Sequence, residues 1–384
     1  MLRFVALLAA IAALTPFAID MYLPAMPRIA ADLGATLGQV QASLSTFLIG
    51  FAAGQLLHGP LADAFGRRRL LLGALACFAL FSVLCALAPT LDALLLWRCG
   101  QALAGAGASV VVSAAITDRY HGKNAIRVRS MMVSVMTLAP LVAPAIGAWL
   151  SRLAGWRSLF WLLAVIALVN AVQVWRYLPE SLKQRQSLRP SVVARNYWQI
   201  ISNAGARYEF PALALASAGF FAFLTATPYL YMVQLGLSDT QYAFAFAANV
   251  LALTGCAWLN SRLAGRVAPR WLLIRALGLQ AAIALFVVIS AGLFGLHLWL
   301  HAPLWWLLIG LNGLVFANGA ALILERFRER AGTASAVLGA TQFAAGALSS
   351  IVVAAVSHIG AVAVVSVQAL CLAASLLLLR SAKR

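Results

Sequence analysis

The chain carries ten acidic residues among 384, and only Asp20 lies well inside an apolar run, in Ala18-Ile19-Asp20-Met21-Tyr22-Leu23-Pro24-Ala25-Met26-Pro27. An isolated carboxyl in such a setting can do one kind of chemistry: it can take up and release a proton. If the run crosses a bilayer, keeping that Asp ionised near the centre costs about 2.5–3.5 kcal/mol, so it requires a partner, water or a proton. Arg98 is the one basic residue well inside an apolar run, seven residues from its start at Leu91. His297 and His301 have the i, i+4 spacing of a metal pair, but no Asp, Glu or Cys is near them in sequence, so neither a metal nor another cofactor is expected. The five cysteines, Cys77, Cys85, Cys99, Cys256 and Cys371, all fall in apolar runs without metal-ligand spacing and read as buried small hydrophobes. The chain has neither a G-x-S-x-G elbow nor a phosphate-binding loop, which argues against an enzyme and against ATP-driven work.

The elements that would position Asp20 and Arg98 follow from composition. With 63% hydrophobic and 10% charged residues, the chain reads as a polytopic all-α membrane protein. At about 20 residues per crossing, twelve apolar runs emerge: Phe4–Pro24, Val40–Leu57, Leu70–Leu87, Leu91–Ile116, Ser130–Leu150 and Leu159–Trp175, then Phe210–Val233, Tyr242–Leu263, Trp271–Leu293, Leu304–Leu324, Thr333–Ser357 and Val362–Leu379. With the N-terminus in the cytoplasm, 24 of the 28 Lys and Arg residues fall on the cytoplasmic side, which predicts that both termini lie there. The basic excess is therefore a topology signal, and no nucleic-acid partner is expected. Trp97, Trp149, Trp156, Trp299, Trp305 and Trp306 fall near the predicted outer boundaries. A polar stretch over 179–208 reads as a linker between two six-helix bundles, 1–178 and 209–384. The depths of the two charged residues agree: Asp20 lies seven residues before Pro27 and Arg98 seven after Leu91, each about 10 Å in from the outer face at 1.5 Å per residue.

Several motifs narrow the reading. The second and third runs are joined by Gly59-Pro60-Leu61-Ala62-Asp63-Ala64-Phe65-Gly66-Arg67-Arg68-Arg69-Leu70-Leu71, whose glycines suit a tight reversal. This resembles the signature loop of the major facilitator superfamily at Gly59, Leu61, Asp63, Gly66, Arg67 and Arg68, with Ala64 where a basic residue is usual. Leu94-Leu95-Leu96-Trp97-Arg98-Cys99-Gly100-Gln101-Ala102 is similar to the family's fourth-span motif. Ala139-Pro140-Leu141-Val142-Ala143-Pro144-Ala145-Ile146-Gly147 is similar to the fifth-span motif of its antiporters, where Pro140, Pro144 and Gly147 would bend the helix and admit a close neighbour. Together with the first-span run and Gly332-Thr333-Ala334-Ser335-Ala336, these motifs resemble the Bcr/CflA group of drug:proton antiporters. A second basic, glycine-led segment, Gly265-Arg266-Val267-Ala268-Pro269-Arg270-Trp271-Leu272, echoes the signature loop and fits a parallel repeat.

The resemblance implies a twelve-helix fold in the bacterial inner membrane, a monomer, that exports small amphipathic compounds in exchange for protons. Asp20 would carry the proton, with Arg98 influencing it from similar depth; a static ion pair between them is the structural alternative. Tyr22, Gln101, Phe220, Phe223, Thr227, Tyr231, Asn249 and Gln342 are candidate substrate-cavity residues: aromatic, hydroxyl or amide groups suited to flat apolar solutes. Gly59, Asp63, Gly66, Arg67 and Arg68, with Asp118, are the candidate cytoplasmic gate. In it Asp63 would meet the N-terminus of the eleventh span, capped by Thr333 or Ser335. The competing functions are export of a natural metabolite such as a sugar or amino acid, proton-coupled uptake, and a membrane receptor that transports nothing.

Overall fold

The computed structural model describes residues 2–119, 122–180, 182, 190–203 and 206–381; among these, the side chains of 2, 3, 117–119, 122–137, 190 and 329 fall outside the description. All regular structure in the described residues is helical. Among the described residues, eleven helical segments are long and apolar enough to cross a membrane, and a shorter apolar stretch, Leu138–Ala154, stands where the fifth run is predicted. The protein is thus a multi-pass membrane protein.

The chain divides into two compact units, residues Met1–Ala35 with Thr46–Arg195, and residues Thr36–Ser45 with Asn196–Arg384. In the first unit the first span is interrupted. Helix α1 (Leu2–Asp20) stops at the carboxylate, a short 3₁₀ turn (Leu23–Ala25) follows, and α2 (Met26–Asp32) resumes. Pro24 and Pro27 explain the break, because neither supplies the amide hydrogen that would continue the α ladder. Next come α3 (Leu37–Phe65), α4 (Arg67–Ala86), α5 (Leu91–Arg119), α6 (Gly122–Ala154) and α7 (Arg157–Tyr177). Helix α1 packs on α5, α6 and α7, and α4 on α5 and α7. Two glycines bring α3 against α5: a Cβ on Gly50 would stand 2.2 Å from the Cys99 carbonyl oxygen, and one on Gly54 2.7 Å from that of Leu103. With no hydrophobic gain between helices in lipid, such close backbone approach is what holds them.

Between α7 and the next span, the region read as a linker contains an amphipathic helix, α8 (Pro190–Ile201), with Ile200 buried and Trp198 and Ile201 exposed. The second unit continues through α9 (Glu209–Thr227), a π-helical stretch over Pro228–Gln234, α10 (Asp239–Leu263), α11 (Pro269–Phe294), α12 (Leu298–Gly310), α13 (Asn312–Arg326), α14 (Ala331–Val356) and α15 (Ala361–Ser381). Helix α9 is its axis, packed on α14, α15 and α13 and 78% buried over its most apolar window. The echo between the two basic segments has a backbone counterpart: Gly66 before α4 and Gly265 before α11 both take positive φ, 98° and 79°.

Candidate functional site

Asp20 is the last residue of α1 and is only 6% exposed. Its carboxyl has neither a hydrogen bond nor an ion pair among the described residues. The α1 carbonyls released by the break at Asp20 lack partners within the helix, and one of them is met from α5: Arg98 Nη1 donates to Ala18 O at 3.1 Å. The guanidinium therefore reaches the turn that ends in Asp20 without pairing with the carboxylate, so the static ion pair is not formed.

Arg98 is completely buried. Its guanidinium carbon lies 4.7 Å from the ring centre of Tyr22, 4.3 Å from Phe47 and 5.7 Å from Phe160, within the range in which ring quadrupoles attract a cation. Nη1 also donates to Gln101 Oε1 at 2.7 Å. Because arginine can only donate, this contact fixes the Gln101 amide. Gln101 Nε2 then donates to Ser82 Oγ at 2.7 Å, and Ser82 in turn donates to Phe78 O at 2.7 Å. The chain of bonds runs in one direction from the cation to a backbone carbonyl. Arg98 Nε and Nη2 are buried and unpartnered.

Gly147 of α6 closes the site from the other side. A Cβ there would stand 2.1 Å from Met21 O, immediately after Asp20. Pro140 and Pro144 lie within the continuous α6 helix.

The signature segment is mostly helix. Gly59 sits inside α3 with open space around it, so it does not make the reversal expected of it; Gly66 alone turns the chain. Asp63, near the end of α3, pairs with Arg67, the first residue of α4, at 2.7 Å. Glu180, beyond α7, caps α4: its carboxylate accepts from Arg67 N at 2.9 Å and from Arg68 N at 3.3 Å, the favourable placing for a negative charge at a helix start. A Cβ on Gly66 would collide with that carboxylate at 2.5 Å. Arg68 Nη2 also donates to Trp175 O. The side chain of Asp118 lies outside the described residues. Helix α14 begins at Ala331 with Arg330 at its N-cap position and no side-chain cap, so neither Thr333 nor Ser335 plays the capping role expected of it.

The cavity candidates of the second unit separate into two sets. Phe220 and Gln342 are half-buried, with Phe220 edge-on to Phe221 and Phe316. Phe223, Thr227, Tyr231 and Asn249 belong instead to a closed aromatic core. There Thr227 Oγ1 meets the Tyr242 hydroxyl at 2.9 Å, and Tyr231 packs on Trp305 and Tyr242. Trp305, expected at a membrane boundary, is fully buried in this core. His301 contacts the backbone of His297 through Nδ1 and Ser290 Oγ through Nε2, so both ring nitrogens have protein partners.

Glu209, the first residue of α9, is 2% exposed. Arg326 of α13 grips it through two bonds, 3.2 and 2.9 Å, and Arg270 of α11 approaches to 3.8 Å. Sequence reasoning also missed Phe47, Phe160 and Ser82, none of which stands in a pattern that marks it as a neighbour of Arg98.

The profile of the Major Facilitator Superfamily matches residues 8–350. A bicyclomycin resistance protein homolog of Haemophilus influenzae is 32% identical over 356 residues, 91% of this chain and 88% of that protein. A chloramphenicol resistance protein of Pseudomonas aeruginosa is 32% identical over 340 residues, 84% of this chain and 77% of that one. Among solved structures, a D-xylose-proton symporter is similar in fold, with a TM-score of 0.74 at 16% identity over 98% of this chain and 97% of that one.

Proposed function

The chain belongs to the major facilitator superfamily, and on that premise we propose that it exports small amphipathic drugs or toxic compounds across the bacterial inner membrane in exchange for protons. The observation that carries the reading is Asp20, a buried carboxyl at a break in the first span whose charge no group among the described residues balances by direct contact. Broken spans near the membrane middle are where transporters of this general plan hold ions, since the freed helix ends leave polar groups without partners. In the proposed cycle Asp20 takes a proton when water reaches it from outside and gives it up when water reaches it from inside. Arg98 is held against the Ala18 carbonyl and keeps its positive charge close to the reacting carboxyl throughout.

Tyr22, Gln101, Phe220, Phe223, Thr227, Tyr231, Asn249 and Gln342 are proposed to serve the substrate. Asp63, Arg67 and Arg68, with Gly59, Gly66 and Asp118, are proposed to form the cytoplasmic gate. The same proposal includes cytoplasmic termini, a monomer, and two six-helix halves, 1–178 and 209–384, joined through 179–208. Support for a drug as cargo comes from the similarity to the bicyclomycin and chloramphenicol resistance proteins.

The test is purified protein in liposomes with an imposed pH gradient, assayed with bicyclomycin and chloramphenicol. Drug should move against the proton flux in the parent and should stop doing so in Asp20→Asn, which keeps the shape and removes the titrating group. Gradient-driven drug movement of parental size in Asp20→Asn, or movement in the same direction as protons, would overturn the proposal.

A further inference from the structure

Helix α8 (Pro190–Ile201) carries three stripes of different chemistry, each repeating at i, i+4, i+7 and so running along one face. Val193, Tyr197 and Ile200 turn toward the protein: the first two are half-buried and Ile200 is buried. Arg195, Gln199 and Ser202 form an exposed polar stripe, with Ser202 extending the last turn through a bond from its amide to Trp198 O at 2.8 Å. Ala194, Trp198 and Ile201 form the third stripe, exposed and wholly apolar, with Trp198 at 67% and Ile201 at 53%. A helix that met only protein and water would have polar groups on both of its free flanks. This one leaves a flank with none.

Two ties set the level at which α8 lies. Residues 202–208 alone separate it from the start of α9 at Glu209, and Gln199 Oε1 accepts from Arg330 Nη1, immediately before α14. Both α9 and α14 belong to membrane-spanning segments, so α8 is held where spans begin, at the face of the bilayer. Trp271, near the start of α11, is also exposed, and its neighbour Arg270 approaches Glu209 at 3.8 Å, which puts a second exposed tryptophan at the same end of the unit. Tryptophan favours this boundary, where its ring meets acyl chains and its N–H meets headgroups.

Charge selects the lipid. The stretch 179–208 contains Lys183, Arg185, Arg189, Arg195 and Arg207 against a single acid, Glu180, and Glu180 is spent on capping α4. Arg195 has neither an ion pair nor a hydrogen bond among the described residues. An apolar flank beside a basic one is the pattern of a helix lying in the membrane plane, where buried apolar area and attraction to anionic lipid act together.

We propose that α8 is an interfacial helix that seats Trp198 and Ile201 at the acyl-chain boundary of the cytoplasmic leaflet and offers Arg195 to the phosphate of an anionic phospholipid. The inference goes beyond the exporter reading and depends neither on the cargo nor on Asp20.

The experiment places the photo-crosslinking residue p-benzoylphenylalanine at position 198, 201 or 202 of the full chain. The protein is held in nanodiscs of phosphatidylcholine with a minor share of phosphatidylglycerol, and adducts are read by mass spectrometry. Lipid adducts should form at 198 and 201 and be rare at 202. Phosphatidylglycerol should be enriched at 198 about fivefold over its share of the bilayer, the equivalent of about 1 kcal/mol for one basic residue at an anionic surface. Arg195→Gln, at an exposed position, should return it to that share without lowering the thermal midpoint. Lipid adducts as abundant at 202 as at 198 and 201 overturn the interfacial placement, and so do crosslinks from 198 to a soluble protein instead of lipid in inverted membrane vesicles. Phosphatidylglycerol at its bulk share in the parent, or enrichment that persists in Arg195→Gln, overturns the headgroup contact.

Discussion

Gly147→Ala adds one methyl group where the structure has no room for it. The new Cβ would lie 2.1 Å from the carbonyl oxygen of Met21, whereas ordinary contact begins at 3.4 Å, so α6 and the turn after Asp20 must separate by about 1.3 Å. The obstacle is backbone, which cannot rotate away as a side chain would. Overpacking of this kind costs typically about 1–3 kcal/mol. The functional loss should exceed what stability alone predicts, because the residue displaced is next to the carboxyl proposed to carry the proton and a misplacement of about 1 Å can cost roughly a hundredfold in rate. The assay is pH-driven drug efflux in liposomes beside the thermal midpoint of the same preparation. Gly278→Ala serves as control, since its added Cβ meets nothing within 4 Å and Ala is favoured over Gly in a helix by roughly 0.5–1 kcal/mol. Gly147→Ala should lose most efflux and lower the midpoint, while Gly278→Ala should match or exceed the parent in stability. Parental efflux and midpoint in Gly147→Ala would refute the claim that the glycine exists to admit the broken span.

Two further substitutions probe the polar framework. Ser82→Ala removes the acceptor of Gln101 Nε2; the buried amide left unpaired should cost about 1–3 kcal/mol and displace the pH profile of efflux through Arg98, whereas a profile identical to the parent's would mean that the bonded chain does not orient the arginine. Glu209→Gln leaves Arg326 and Arg270 without their counter-charge; breaking a buried pair costs about 3–5 kcal/mol, and since the Arg326 side chain is 38% exposed we expect the lower end, read as a fall in thermal midpoint. In contrast, Asp32→Asn, which loses an Arg157 partner at a site where the two side chains are 47% and 41% exposed, should change stability by no more than about 1 kcal/mol.

What was legible in the sequence was whatever violates its surroundings. Asp20 and Arg98 stand out because charge is rare in apolar runs, and their common depth follows from helical rise alone. Gly66 was legible as a turn, but Gly59 was not separable from it, because spacing does not reveal where α3 ends. The cage around Arg98 was hidden for the opposite reason: Phe47 and Phe160 are aromatics among apolar residues, and nothing local distinguishes a ring that faces a guanidinium from one that faces lipid. The burial of Glu209 was not legible because it depends on Arg326, 117 residues away. The π-turn was equally silent, since Pro228 announces an interruption but not its kind.

Burial alone does not mark a proton carrier, as the contrast between the two buried carboxylates makes plain. Glu209 and Asp20 are exposed to similar small degrees, 2% and 6%. Glu209 has its charge met by a two-bond contact with one guanidinium and the approach of another, which suits a fixed tie between the ends of α9, α11 and α13. Asp20 has an arginine within reach of its own helical turn, yet that arginine spends its contacts on a carbonyl, an amide and three aromatic faces. The cation is thereby stabilised without consuming the acid, and its Nε and Nη2 stay unspent. A carboxyl neutralised by a permanent salt bridge would have little reason to exchange a proton; one left beside a cation that other contacts hold in place retains that freedom. The rings of Tyr22, Phe47 and Phe160 therefore do more than fill space: they hold Arg98 away from a direct pair with Asp20, as the proposed proton exchange requires.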